Sequence, residues 1–394
     1  MKSRHSIALQ ILLIAFLSVS ALARETCTVG VVSGSVTIDG RPLLWKNRDS
    51  SHKDNEVAFF RGPRYDFIGV INTNDTTQVW MGINTAGFAI MNSESLDQPG
   101  DSVDTEGFFM KKALGLCGSV SDFQAMLDST NQSPRGTRSN FGCIDAFGQA
   151  AIFETGNSSY EKFDANDPVQ APDGFVVRAN FSMTGKGKQA YGTWRYHRAY
   201  ELFKKAIDRN QMSHAYILQK VARDLVSDEL NPYPLPYKES YDGGPVGFIK
   251  TRNSINRYRT VSCAVFRGVQ KGEPLYLATM WIILGEPIAG AAIPLWPIVG
   301  RVPAELDGEK GSVLNQFFQD LKKRLYPDED FPWYADSELL VGPRAITSGL
   351  IEIEQQILLD TERKLIRWRR GQPNFKEFYD FEEKMISRIL RARF

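Results

Sequence analysis

The sequence predicts an α+β layered domain, and three observations carry that expectation. The chain has 394 residues, 42% of them hydrophobic, which suffices for one large domain or two ordinary ones with a sizeable core. From Cys27 to about residue 268 it is rich in short apolar runs bounded by turn residues. After about Pro303 the pattern becomes helical and rich in Lys, Arg and Glu, so strands, helices, strands and helices succeed one another.

Composition removes several function classes. Charged residues make up 24%, which excludes a mainly disordered chain. Lys and Arg number 47 against 46 Asp and Glu, a formal net charge of +1, so there is no electrostatic case for a nucleic-acid partner. Four cysteines rule out a disulfide-dense scaffold, and four histidines leave little for a His-rich metal site.

Residues 1–23 read as a secretory signal. Lys2 and Arg4 open it, residues 7–17 are almost all apolar, and Ala21-Leu22-Ala23 is a small-x-small cleavage site. The apolar run is shorter than the roughly 20 residues of a membrane span. The expectation is an exported protein, periplasmic or extracellular, with no membrane insertion after cleavage. In an oxidising compartment Cys117, Cys143 and Cys263 can pair, with at least one left over.

The elements follow in order. Residues 28–35 form a first strand, Asp39-Gly40 a hairpin turn, and a second strand begins at Leu43-Leu44-Trp45 and ends in Lys46-Asn47-Arg48-Asp49. Further strands are expected at 67–71, 79–83 and 88–91, the last two joined by Asn84-Thr85-Ala86-Gly87. Helices are expected at 107–116 and 122–128, the second with Ser121-x-x-Gln124 as a capping box. Strands resume at 141–144, 150–154 and 175–179. Helices follow at 191–207 and from Ser213 to 225, then strands at 261–266 and 275–284. Segments 313–325, 345–370 and 375–393 are helical in pattern.

Few stretches suggest a cofactor or a metal. There is no His-Glu-x-x-His, no paired Cys-x-x-Cys, no Walker-type loop and no Gly-x-Ser-x-Gly. Gly185-x-Gly187-x-x-Ala190 lacks a surrounding βαβ pattern and reads as a loop. His197 reads as a structural or surface residue, and Asp328-Glu329-Asp330 as a polar loop. The basic face of Lys364, Arg367, Arg369 and Arg370 is offset by Glu352, Glu354 and Glu362 and reads as solvated.

Chemistry concentrates at Cys27, three residues beyond the expected signal cleavage. If Cys27 becomes the first residue, its thiol and α-amine share one carbon skeleton. An α-amine has a pKa of about 7.7–8.0 and can take the thiol proton without a histidine. Antiparallel neighbours lie about 5 Å apart, so a hairpin returns the Asp49 end of the second strand to Cys27, where a carboxylate can hold the amine. On spacing alone, an ordinary buried or disulfide cysteine is equally compatible.

Cys27-Thr28, Asp39-Gly40 and Lys46-Asn47-Arg48-Asp49 resemble the opening of the N-terminal-nucleophile (Ntn) hydrolases, within them the penicillin V acylase, choloylglycine hydrolase and isopenicillin-N acyltransferase-like set. Further matches follow in order. They are residues 81–89 with Asn92, the Asp145-to-Glu154 hairpin, Arg178-Ala179-Asn180-Phe181, and Asn256-Arg257.

The resemblance implies a four-layer αββα sandwich of two antiparallel sheets over residues 27–303, with residues 304–394 as a helical C-terminal extension. It implies that Cys27 attacks an amide carbonyl through a thioester, that Asp49 orients the α-amine, and that the Asn180 side chain and Asn92 N–H hold the oxyanion. Arg257 then stabilises site charge, with Arg252 and Arg259 as rivals. Lys46, Asn47 and Arg48 are expected thiolate or substrate contacts. No cofactor or metal is implied, and the partner is a small N-acyl amide. Signal cleavage leaves residues 24–26 as a short propeptide whose removal by Cys27 itself frees the amine. Alternatives are an acyltransferase, a dipeptidase of the same superfamily and, in another class, a non-catalytic exported binding protein. The acyl group, the amine and a homo-oligomeric state stay open.

Overall fold

A computed structural model describes the chain apart from residues 1–25, 96, 99–104, 187–190, 242, 329–330, 343–344 and 372. The expected signal segment and two residues of the expected propeptide therefore lie outside the described residues, as does part of the Gly185-x-Gly187-x-x-Ala190 loop.

The strands are β1 (Thr28–Val32), β2 (Leu43–Asp49), β3 (Asn55–Phe60), β4 (Phe67–Asn72), β5 (Met81–Asn84), β6 (Ala89–Glu94), β7 (Ser139–Ile144) and β8 (Ala150–Thr155). They continue as β9 (Tyr160–Asp164), β10 (Phe175–Arg178), β11 (Phe248–Lys250), β12 (Thr260–Arg267), β13 (Thr279–Ile283), β14 (Ile293–Leu295) and β15 (Tyr334–Asp336). Among the described residues, β3 to β9 form one antiparallel meander in chain order. A second antiparallel sheet has the order β10-β1-β2-β12-β13-β14, and β11 pairs with β15. The main helices are α1 (Glu106–Leu116), α2 (Val120–Thr130), α3 (Thr193–Asp208), α4 (Val313–Leu325), α5 (Ile346–Arg370) and α6 (Phe375–Leu390).

The two sheets face one another, with β1 and β2 against β6, β7 and β8. Both faces of these strands are covered, so they read as continuous apolar runs rather than as alternation. Helices α1 and α2 cover the outer face of the meander through Phe109, Met110, Leu114, Phe123 and Leu127. On the other side α3 packs on β1, and a Cβ at Gly30 would meet the Phe203 ring at 2.9 Å. This is the expected four-layer αββα sandwich. The C-terminal helices do not stand apart. Leu350, Ile357, Leu365, Phe378 and Met385 join the same apolar core as β1 and β2, on the outer side of β14. Among the described residues no helix is long and apolar enough to cross a membrane.

Several boundaries differ from expectation. Helix α2 starts at Val120, capped by Ser119, whose Oγ accepts from the Asp122 N–H at 3.0 Å, so Ser121 is not the cap. The helix expected from Ser213 is only His214–Tyr216 followed by a π-turn at Ile217–Val221. The Arg223 guanidinium takes the Leu218 carbonyl there, along with those of Pro287 and Gly290. Residues 275–284 split into a 3-10 turn, Leu275–Leu277, and β13. Cys117, Cys143 and Cys263 are buried and form no disulfide.

A half-buried ionic cluster joins the β1–β2 connection to the C-terminal region. Arg267 of β12 binds Asp39 at 2.5 Å and Glu362 of α5 at 2.5 Å, and the His214 ring stacks on Trp281 at 5.3 Å beside them. Burial and the Arg267 charge push His214 down to about 3, against the pull of Asp39. The neutral imidazole belongs to the folded state, so its stabilisation is complete above the unfolded pKa of about 6.5 and is lost as pH falls towards about 3. Stability should therefore drop below pH 6.5 by up to ~1.4 kcal/mol per pH unit. Chemical denaturation of wild type and His214→Phe between pH 4 and 8 checks this, because the variant should lose that slope.

Candidate active site

Cys27 is buried at the head of β1, next to the inter-sheet layer. The antiparallel register pairs Thr28 with Asn47 and Val29 with Lys46. The Thr26 N–H donates to the Asp49 carbonyl at 3.1 Å, so the end of β2 lies beside the Thr26–Cys27 peptide bond.

Side chains alternate across a strand, which sorts the four residues at the end of β2. Lys46 and Arg48 point between the sheets. Lys46 Nζ donates to Asn92 Oδ1 at 2.7 Å and to the Trp80 carbonyl at 3.1 Å. Arg48 donates to Asn55 Oδ1 at 2.6 Å and to Asn72 Oδ1 at 2.9 Å, with its guanidinium 4.7 Å from the Trp80 ring centre. Asn47 and Asp49 point to the other face. Asn47 Nδ2 donates to the carbonyls of Ala222 and Ile255, so the expectation that it touches thiolate or substrate is corrected: it anchors the loop leading to Arg257.

Asp49 is fully buried and fully bonded. Oδ2 accepts from Arg257 Nε at 2.8 Å and Nη2 at 2.6 Å, and Oδ1 accepts from Thr260 Oγ1 at 2.6 Å. Arg257 Nη2 also donates to the Thr26 carbonyl at 2.9 Å and to Thr26 Oγ1 at 2.5 Å. Burial alone lowers the Arg257 pKa, but the Asp49 charge and hydrogen bond outweigh it and raise it. Of the three late arginines, Arg257 thus meets Asp49. Arg252 is exposed and lies over the Trp333 ring at 5.5 Å.

Asn180 is buried and opposite Tyr191 in a β-bridge. Its Oδ1 accepts from Arg195 Nη2 at 2.8 Å, and its Nδ2 donates to the Glu94 carbonyl at 3.0 Å, a bond that uses one of the two N–H groups of that amide. Asn140 Nδ2 donates to the carbonyls of Ala179 and Phe181 and fixes the flanking backbone. Asn92 lies in β6 opposite Phe141, and its Nδ2 donates to Ser139 Oγ at 3.1 Å. Asp145 and Glu154 are structural. Asp145 accepts from the N–H groups of Val120, Phe147 and Gln149, and Glu154 holds Arg178 at 2.5 Å and the Met183 and Thr184 N–H groups.

Arg195 on α3 is the residue that sequence reasoning missed. Its Nη1 donates to the Cys27 carbonyl at 2.6 Å and to Thr28 Oγ1 at 2.8 Å, while Nη2 holds Asn180. Burial and the Arg257 charge push it down to about 9, with Asp49 and Cys27 opposing. Its signal in the sequence was an arginine two residues before His197, on the apolar side of an amphipathic helix. The neighbouring His197 is exposed.

The family model for acyl-coenzyme A:6-aminopenicillanic acid acyl-transferase matches residues 36–230, which include Asp49, Asn92, Asn180 and Arg195. The chain is similar to this family over just under half of its length. Cys27 and Arg257 lie on either side of the matched span. Solved structures similar to it include a conjugated bile acid hydrolase from Clostridium perfringens, at 12% identity and a TM-score of 0.43, covering 68% of this chain and 92% of that one. An N-acylethanolamine-hydrolyzing acid amidase ortholog from Caenorhabditis elegans is 14% identical, with a TM-score of 0.40 and coverage of 61% and 92%. Penicillin V acylase from Agrobacterium tumefaciens is 12% identical, with a TM-score of 0.40 and coverage of 68% and 86%. No curated protein sequence matches the chain.

Proposed function

We propose that this chain is an exported amidase that cleaves the linear C–N bond of an N-acyl compound through a thioester on Cys27, after removing its own propeptide. The observation that carries the reading is the Arg257 guanidinium, held by Asp49 and donating to the Thr26 carbonyl at 2.9 Å. That carbonyl belongs to the bond whose cleavage frees the Cys27 amine.

In maturation, Cys27 Sγ attacks the Thr26 carbonyl carbon. Arg257 Nη2 stabilises the developing oxyanion, the thiol proton ends on the departing Cys27 nitrogen, and water hydrolyses the resulting thioester. Thr26 then leaves, and Arg257 and Asp49 face a new amine. In turnover that amine takes the thiol proton, Sγ attacks the substrate carbonyl, and the proton passes to the leaving amine. The second N–H of Asn180 and the backbone N–H of Asn92 are the proposed oxyanion donors. Two guanidinium groups, Arg195 and Arg257, against one carboxylate, Asp49, favour negative charge at this point. The thioester goes to water in a hydrolase or to a second amine in an acyltransferase, and the acyl-transferase family match favours testing both.

The test is the N-terminal sequence and intact mass of the purified protein, followed by a screen of N-acyl amides with and without an acceptor amine. A chain beginning at Cys27 that releases amine from an acyl amide supports the reading. A chain that retains Thr26 and is inert towards every amide overturns it.

A further inference from the structure

The turn that carries Arg257 is gripped from two sides. On the inner side Thr260 Oγ1 accepts from the Arg257 N–H at 3.2 Å and donates to Asp49, and the Ser50 N–H donates to the Arg259 carbonyl at 3.1 Å. The outer grip comes from α4, in the C-terminal region beyond the family match. Lys322 Nζ donates to the Tyr258 carbonyl and, at 3.4 Å, to the Thr260 carbonyl, and lies 4.6 Å from the Tyr258 ring centre.

Glu286 ties this grip together. It is fully buried between the turn and α4. Its Oε2 lies 2.7 Å from Lys322 Nζ, and its Oε1 accepts from Tyr326 Oη at 2.5 Å and from Asn256 Nδ2 at 2.7 Å. Asn256 precedes Arg257, and its Oδ1 accepts from the Ile288 N–H at 3.2 Å. Tyr326 Oη also pairs with Thr251 Oγ1 at 3.0 Å. One carboxylate, one ammonium and one phenol thus hold residues 256, 258 and 260 around Arg257. Such a buried ionic group is costly to assemble for stability alone, and it fixes one geometry when every member is bonded.

We infer that Lys322, Tyr326 and Glu286 are positioning residues for the Arg257 turn, so that the C-terminal helical region is a working part of the site. The inference rests on the reading of Arg257 given under Proposed function. The grip aims Nη2 at the Thr26 carbonyl and keeps Arg257 on Asp49 after Thr26 has left. A displacement of about 1 Å at such a position costs on the order of 10²-fold in rate.

The experiment follows conversion of the full chain to the form beginning at Cys27, then kcat and KM on the best amide from the screen. Lys322→Met should slow conversion about 10- to 100-fold and lower kcat with KM little changed, and Lys322→Arg should recover most of that loss. Tyr326→Phe removes one hydroxyl, keeps the ring, and serves if Lys322→Met does not fold. Its expected loss is a smaller one, several-fold, in the same two quantities. Leu365→Ala, in the same region but away from the turn, controls for lost stability. Conversion and kcat at wild-type values in the foldable variants overturn the inference, as does an equal loss in Leu365→Ala at matched melting temperature. A wild-type chain that never exposes Cys27 and turns over no amide is a different result, because it overturns the function on which the inference rests.

Discussion

A Cys27→Ala chain should be recovered with Thr26 still attached and should release no amine from any acyl amide. In the proposed mechanism the thiol is the nucleophile for both bonds, the one to Thr26 and the one in the substrate. Its loss should lower turnover by more than ~10⁴-fold, the scale on which deleting a nucleophile acts in other covalent enzymes. Intact mass decides the first half and a stopped assay for free amine the second. The folded structure should be nearly unaffected, because Ala fills most of the volume of a small buried side chain. A variant that still loses Thr26 would place the cleavage in another protein and confine Cys27 to turnover.

Arg195 should show the second large effect. Its fork spans three acceptors, the Cys27 carbonyl, Thr28 Oγ1 and Asn180 Oδ1, and so links the proposed nucleophile to the proposed oxyanion donor. Lysine keeps the charge but cannot span all three. Arg195→Lys should therefore lower kcat by about 10²-fold while KM stays near wild type, because the guanidinium orients protein groups rather than substrate. Arg195→Met leaves those acceptors buried without a donor and should cost about 3 kcal/mol of stability, read from urea denaturation. Equal kcat in wild type and Arg195→Lys would reduce Arg195 to a packing residue.

These residues differ in how far the sequence betrays them. Cys27, the Asp39-Gly40 turn and Asp49 lie within one hairpin, and hairpin geometry is local. Two strands about 5 Å apart and a turn between them are enough to bring the Asp49 end of β2 back to Cys27. The faces of Lys46, Asn47 and Arg48 were not legible, because a register slip of one residue exchanges the two faces of a strand. Asn47 faces away from the inter-sheet layer because it pairs with Thr28, and that pairing is a property of the assembled sheet. Strand β3 escaped notice because the polar run that leads into it and opens it, residues 51–56, resembles a loop. Its pairing with β4 and the Val57 N–H bond to the Leu306 carbonyl make it a strand.

The sequence by itself determined the α+β class, the strand-rich region from Cys27 to about residue 268, the helical C-terminal region and the hairpin that brings Asp49 back to Cys27. Each is written in composition or in patterns a few residues long. Tertiary structure alone decided that Arg257 rather than Arg252 or Arg259 meets Asp49, that Arg195 joins Cys27 to Asn180, and that Lys322 grips the turn between them. The physical reason is the same in each case. A long cationic side chain carries no local mark of its partner, and its acceptors here are carbonyl and carboxylate oxygens from strands and turns that only the packed sandwich brings within hydrogen-bond reach.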